Sequence, residues 1–135
     1  MKKLAIFLIV LNLILLNSTL FAQITTIGAP FIENYNRAEY RGGSQTWDVQ
    51  QGVNGMMYFA NNDGLLEFDG SNWNIYNLPN NTILRSIENG NEGRMYAGGF
   101  DELGYYNIGL MGGAEYVSLT YLIPEERKDF GEVWK

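Results

Sequence analysis

Two pairs of carboxylates have the residue types for acid–base work at a glycosidic bond: Asp101 with Glu102, and Asp63 with Glu67. Neighbours on a strand point to opposite faces, so Asp101 and Glu102 can cooperate only from a loop. The other candidates suit binding rather than reaction. Trp47 and Phe100 offer flat apolar faces, Asn61 and Asn62 offer amides, and Arg85 offers a fixed fork of donors. With Asp63, Asp101 and Glu102 these form the candidate ligand-binding set. Each also has a plainer reading: Asn62-Asp63-Gly64 as a turn, Trp47 as packing between units, and Arg85 with Asp101 as an ion pair. The chain has no histidine and no cysteine, which removes histidine bases, serine and cysteine triads and histidine metal sites together. Asn61-Asn62-Asp63-Gly64 lacks the acidic positions and closing glutamate of a calcium loop. No catalytic residue, cofactor or metal is therefore expected.

These residues sit in a stretch that the chain writes twice. Shifted by 38 positions, Gly52, Gly55, Met57, Tyr58, Asp63 and Leu65 fall on Gly90, Gly93, Met95, Tyr96, Asp101 and Leu103, with Val49 on Ile87 and Phe68 on Tyr106. Each copy alternates apolar runs with glycine-bearing polar turns, the pattern of strand, turn, strand. Strands are predicted at Trp47 to Gln51, Met56 to Asn61, Leu65 to Asp69 and Trp73 to Tyr76. The second set is Leu84 to Asn89, Met95 to Gly99, Gly104 to Asn107 and Tyr116 to Leu119. In this copy Gly104-Tyr105 competes with the Leu103 match for the place of Gly64-Leu65. Pro124 to Lys128 suits one helical turn, and Phe130-Gly131-Glu132-Val133 falls where Leu84-Arg85-Ser86-Ile87 fell.

A four-stranded repeat of about 40 residues is the period of a β-propeller blade. The 16 glycines and the Asn-Gly, Asp-Gly and Gly-Gly pairs break the competing helical repeats. The expected fold is all-β: a partial propeller of about two four-stranded antiparallel blades and the start of a third. Its divisions are a signal peptide at 1–22, a lead-in at 23–46 that could supply an outer closing strand, blades at 47–78 and 79–122, and a truncated blade at 123–135. In the lead-in, Tyr35, Arg37, Tyr40 and Arg41 either face a ligand or cover the first blade.

The first 22 residues read as a secretory signal: Lys2 and Lys3, an apolar run from Leu4 to Leu16, and a small-residue exit. A cut between Ala22 and Gln23 would leave 113 of the 135 residues and move the net charge from −6 to −8. An acidic exported domain is unsuited to nucleic acid or anionic membrane surfaces.

From Gly42-Gly43-Ser44-Gln45-Thr46-Trp47-Asp48-Val49 through Asn61-Asn62-Asp63-Gly64-Leu65-Leu66-Glu67-Phe68-Asp69-Gly70, and again from Arg94 to Tyr106, the chain resembles the two-component-regulator propeller proteins of Bacteroidetes. The resemblance covers Gly42 to Lys135. It implies the periplasmic sensing part of an inner-membrane regulator, followed in full-length members by further blades, a triple-tyrosine domain, a membrane span and a kinase or DNA-binding output. It also implies a small ligand, in some relatives a glycan fragment, with a homodimer as one arrangement of the full-length protein. Binding without catalysis is the leading expectation. Alternatives are an exported propeller for protein or glycan adhesion, and a glycosidase or lyase.

Overall fold

The computed structural model of the protein describes Gly28 and residues 30–134. The signal peptide and its cleavage site at Ala22 and Gln23 lie outside the described residues. The chain divides into two units, Met1–Glu33 and Asn34–Lys135. The described residues of the first form no regular element.

The second unit opens with a single helical turn, α1 (Arg37–Tyr40), and continues into eight strands. These are β1 (Thr46–Gln51), β2 (Met57–Asn61), β3 (Gly64–Phe68), β4 (Trp73–Tyr76), β5 (Leu84–Asn89), β6 (Arg94–Gly99), β7 (Leu103–Ile108) and β8 (Ala114–Ser118). They pair into two four-stranded antiparallel sheets, each with its strands in chain order. Short 3₁₀ turns follow at Thr120–Leu122 and Glu125–Arg127.

The 38-residue repeat is kept in the backbone. Tyr58 pairs with Glu67 in the first sheet and Tyr96 with Tyr105 in the second, so Leu103 takes the place of Leu65 and the Gly104-Tyr105 alternative falls. Gly52 and Gly90 each turn the chain by donating to the carbonyls of Met56 and Arg94, at 2.9 Å in both cases. At either glycine a Cβ would come within 2.6 Å of the ring of Tyr58 or Tyr96, so both copies need the bare backbone there.

Six of the eight strands begin or end one or two residues from where the sequence pattern sets them, and two of these shifts have local reasons. Asp69 leaves β3 because its carboxylate accepts the N–H groups of Ser71 and Asn72, closing a turn of its own. β8 starts at Ala114 because Gly112 and Gly113, at φ +93° and +91°, complete the hairpin just before it.

Alternation along paired strands sets Tyr58, Ala60, Leu65, Glu67 and Tyr76 on one face of the first sheet. They meet Ile87, Met95, Ala97 and Tyr106 from the opposite kind of face of the second sheet, forming one core. The first sheet's other face carries Phe59, Phe68 and Trp73, and the lead-in lies on it: Tyr35 meets Phe68 at 5.0 Å and Trp73 at 5.4 Å, and Tyr40 meets Trp73 at 5.8 Å. Among the described residues of the lead-in before β1, 30–45 hold α1 as their regular element, a helical turn fixed by the capping box of Asn36 and Glu39.

Candidate binding site

In each sheet the ladder slips at its first strand, between Thr46 and Asp48 and again between Leu84 and Ser86. The residues skipped are Trp47 and Arg85, one repeat apart. A bulge frees a residue from the pleat and re-aims it. Here the two side chains meet, with the Arg85 guanidinium carbon 4.0 Å from the centroid of the Trp47 ring.

The segment after the second 3₁₀ turn completes the cluster. Glu132 bridges Phe100 at the end of β6, and its Oε1 accepts from Nη2 and Nε of Arg85 at 2.5 and 3.1 Å. Its Oε2 accepts from Trp134 Nε1 at 3.2 Å. Trp134 lies 5.2 Å from the guanidinium and 5.8 Å from Trp47, edge to face. Trp47 Nε1 donates to Asn62 Oδ1 at 2.7 Å, and Asn62 in turn donates to Gln45 Oε1. Trp47, Phe100 and Trp134 stay 38%, 47% and 53% exposed, whereas the Arg85 side chain is 11% exposed. A largely buried, oriented cation thus lies against two partly exposed tryptophan rings, with the Asn62 amide behind one of them.

The structure therefore brings together the side chains of three of the expected residues, Trp47, Asn62 and Arg85, while Phe100 joins through its backbone bridge to Glu132. The ion pair foreseen for Arg85 forms with Glu132 instead of Asp101. Asp101 sits in the β6–β7 turn at φ 50°, where its Oδ1 accepts the Gly131 N–H at 2.6 Å and so fastens the segment that carries Glu132. Asn61 is fully buried: it accepts from the N–H groups of Gly43 and Asp63 and donates to the carbonyls of Gly43 and Gln45 and to Thr46 Oγ1. Asp63 is exposed in the β2–β3 turn, its carbonyl held by Asn77. Glu102 is buried and accepts from Tyr116 OH and Ser118 Oγ at 3.0 and 2.6 Å. Burial first, and the Glu102 charge second, push the hydroxyls of Tyr106 and Tyr116 well above the ordinary tyrosine range.

The second carboxylate pair is divided between surface and core. While Asp63 faces solvent, Glu67 is buried between the sheets, accepting from Tyr58 OH, Tyr76 OH, Asn74 Nδ2 and Gly113 N at 2.9 to 3.1 Å. Burial and the Glu67 carboxylate raise Tyr58 and Tyr76 to about 12.

Comparison with known protein families, curated proteins and solved structures finds no match.

Glu132 and Trp134 were absent from the candidate set. The alignment of Gly131 with Trp47 and Arg85 was the signal that could have found them, since it sets 131–134 beside the two bulge residues. Among the described residues no cluster of three metal-ligating side chains occurs, and no helix is long and apolar enough to cross a membrane. A separate open depression of about 270 Å³ lies on the second sheet's outward face, lined by Ser86, Glu88, Tyr96, Gly98, Leu103 and Val133.

Proposed function

We propose that the two sheets are consecutive blades of a β-propeller, and that the chain is the N-terminal part of a periplasmic ligand-sensing region in a transmembrane signalling or transcription regulator. It binds without catalysis. The observation that carries this reading is the rim: bulge residues Trp47 and Arg85, from equivalent positions of successive sheets, converge with Asn62, Glu132 and Trp134 around exposed aromatic faces. Such faces suit the C–H sides of sugar rings, and the flanking amides and charges suit hydroxyls. A glycan fragment is the ligand class that fits. The face-to-back stacking of repeats in one register supports the blade reading, with the remaining partners being further blades.

The test is a titration of the 135-residue chain with neutral and acidic oligosaccharides, followed by tryptophan fluorescence. Saturable binding that Trp47→Ala weakens at least tenfold, and that Val53→Ala in a distant turn leaves unchanged, is the expected result. Unmoved fluorescence across the panel would end the ligand-sensing reading.

A further inference from the structure

Arg85 is the group on the rim whose chemistry selects among ligands, and it is incompletely used. A carboxylate matched to a guanidinium offers one oxygen to each of two parallel donors. Glu132 instead presents one oxygen to both Nε and Nη2, because its other oxygen is taken by Trp134 Nε1. Nη1 is buried with no hydrogen-bond partner.

The two halves of the ion pair are also unequally fixed. The guanidinium is stacked on Trp47 and the Arg85 side chain is 11% exposed, whereas the Glu132 side chain is 35% exposed. Backbone contacts hold the segment that carries Glu132: Val133 N donates to Gly99 O, Ser86 Oγ donates to Val133 O, and Asp101 N donates to Gly131 O. The Glu132 side chain can therefore swing away while its backbone stays. Asp101, in the β6–β7 turn, is committed to the Gly131 N–H.

We infer that Arg85 is the recognition group for a ligand carboxylate carried on a saccharide ring, and that Glu132 occupies it as a built-in competitor. The ligand's two oxygens take the Nε and Nη2 edge as Glu132 leaves, and its ring packs on Trp47 and Trp134. The competitor lowers apparent affinity by the fraction of time it occupies the fork, so it sets the concentration at which the site responds. This rests on the small-ligand reading of the rim.

Two of the chain's 3 tryptophans flank the fork, so fluorescence reads it directly. The 135-residue chain is titrated with cellobiouronate and with cellobiose, with circular dichroism confirming the fold of every variant. Cellobiouronate is expected to bind Glu132→Gln at least tenfold more tightly than wild type and Arg85→Gln at least tenfold more weakly. Arg85→Lys, which keeps the charge without the fork, falls between wild type and Arg85→Gln. Cellobiose is expected to bind all of them alike. Should the acid show no preference over the neutral sugar, or should Glu132→Gln bind it no tighter, the inference is overturned. If Trp47→Ala then still weakens both sugars, the small-ligand reading survives that result. If neither sugar moves the fluorescence of any form, both readings fall together.

Discussion

Glu67 shows how one residue joins the sheets. Its carboxylate takes hydroxyls from Tyr58 and Tyr76 of its own sheet and the Gly113 N–H of the other, so removing it would strand several buried donors at once. The tyrosines carry a consequence for alkaline stability. Burial chiefly, with Glu67 adding, raises both from 10.0 to about 12. An unfolded tyrosine loses its proton near 10, while the folded ones keep theirs to about 12. Between those values the unfolded chain binds fewer protons, so stability falls as pH rises; below 10 the contribution is whole. Denaturant unfolding at pH 9, 10 and 11 is expected to show midpoints that decline across the series. The decline should be shallower in Tyr58→Phe and Tyr76→Phe. Midpoints that stay level in wild type would show that these hydroxyls ionise as they do in the unfolded chain.

At the scale of elements, the two copies supply an internal control. Gly52 and Gly90 face the same geometry, a Cβ 2.6 Å from a tyrosine ring, but Tyr58 is fully buried and Tyr96 is 43% exposed. A ring that is walled in cannot yield, whereas an open one can rotate aside. Gly52→Ala is therefore expected to cost about 1–3 kcal/mol, as overpacking does, and Gly90→Ala clearly less, both read by chemical denaturation. Equal costs would mean that the Tyr96 ring is held as firmly as that of Tyr58. The strands were legible in the sequence because each apolar run ends at a glycine or polar turn, and Trp73–Tyr76 and Leu84–Asn89 lie where the pattern set them. The bulges were not legible. Nothing in Thr46-Trp47-Asp48 or Leu84-Arg85-Ser86 marks a slipped ladder, since the slip is set by cross-strand register with Asn61-Ala60 and Gly99-Gly98. Glu132 was hidden for a related reason, because its contact with Arg85 spans 47 positions of chain. Asn61, read as a ligand contact, is wholly engaged in tying the lead-in to the end of β2, a use that side-chain type alone does not distinguish.

For the molecule as a whole, the repeat gives equivalent residues unequal surroundings. Sheet one shows Tyr58, Ala60 and Leu65 to sheet two, and all three are fully buried. Sheet two shows the matching Tyr96, Gly98 and Leu103 to an open depression, which, among the described residues of the following segment, Val133 begins to cover. The way in which that segment approaches is already the repeat's own: Asp48 accepts the Ile87 N–H at 3.1 Å, and Ser86, one repeat on, donates to the Val133 carbonyl at 3.1 Å. Stacked repeats draw much of their stability from such nearest-neighbour faces. Leu65→Ala is accordingly expected to cost about 2–5 kcal/mol, the range for truncating a buried leucine, because it opens a cavity between two packed sheets. Leu103→Ala in the same 135-residue chain removes a side chain with one uncovered side and should cost less than half as much. Thermal or denaturant melts of the two variants decide the matter. If the costs prove equal, something covers the second sheet in solution, and the melts repeated over a hundredfold range of protein concentration identify it. A Leu103→Ala cost that grows with concentration would mean that a second copy of the chain lies on that face.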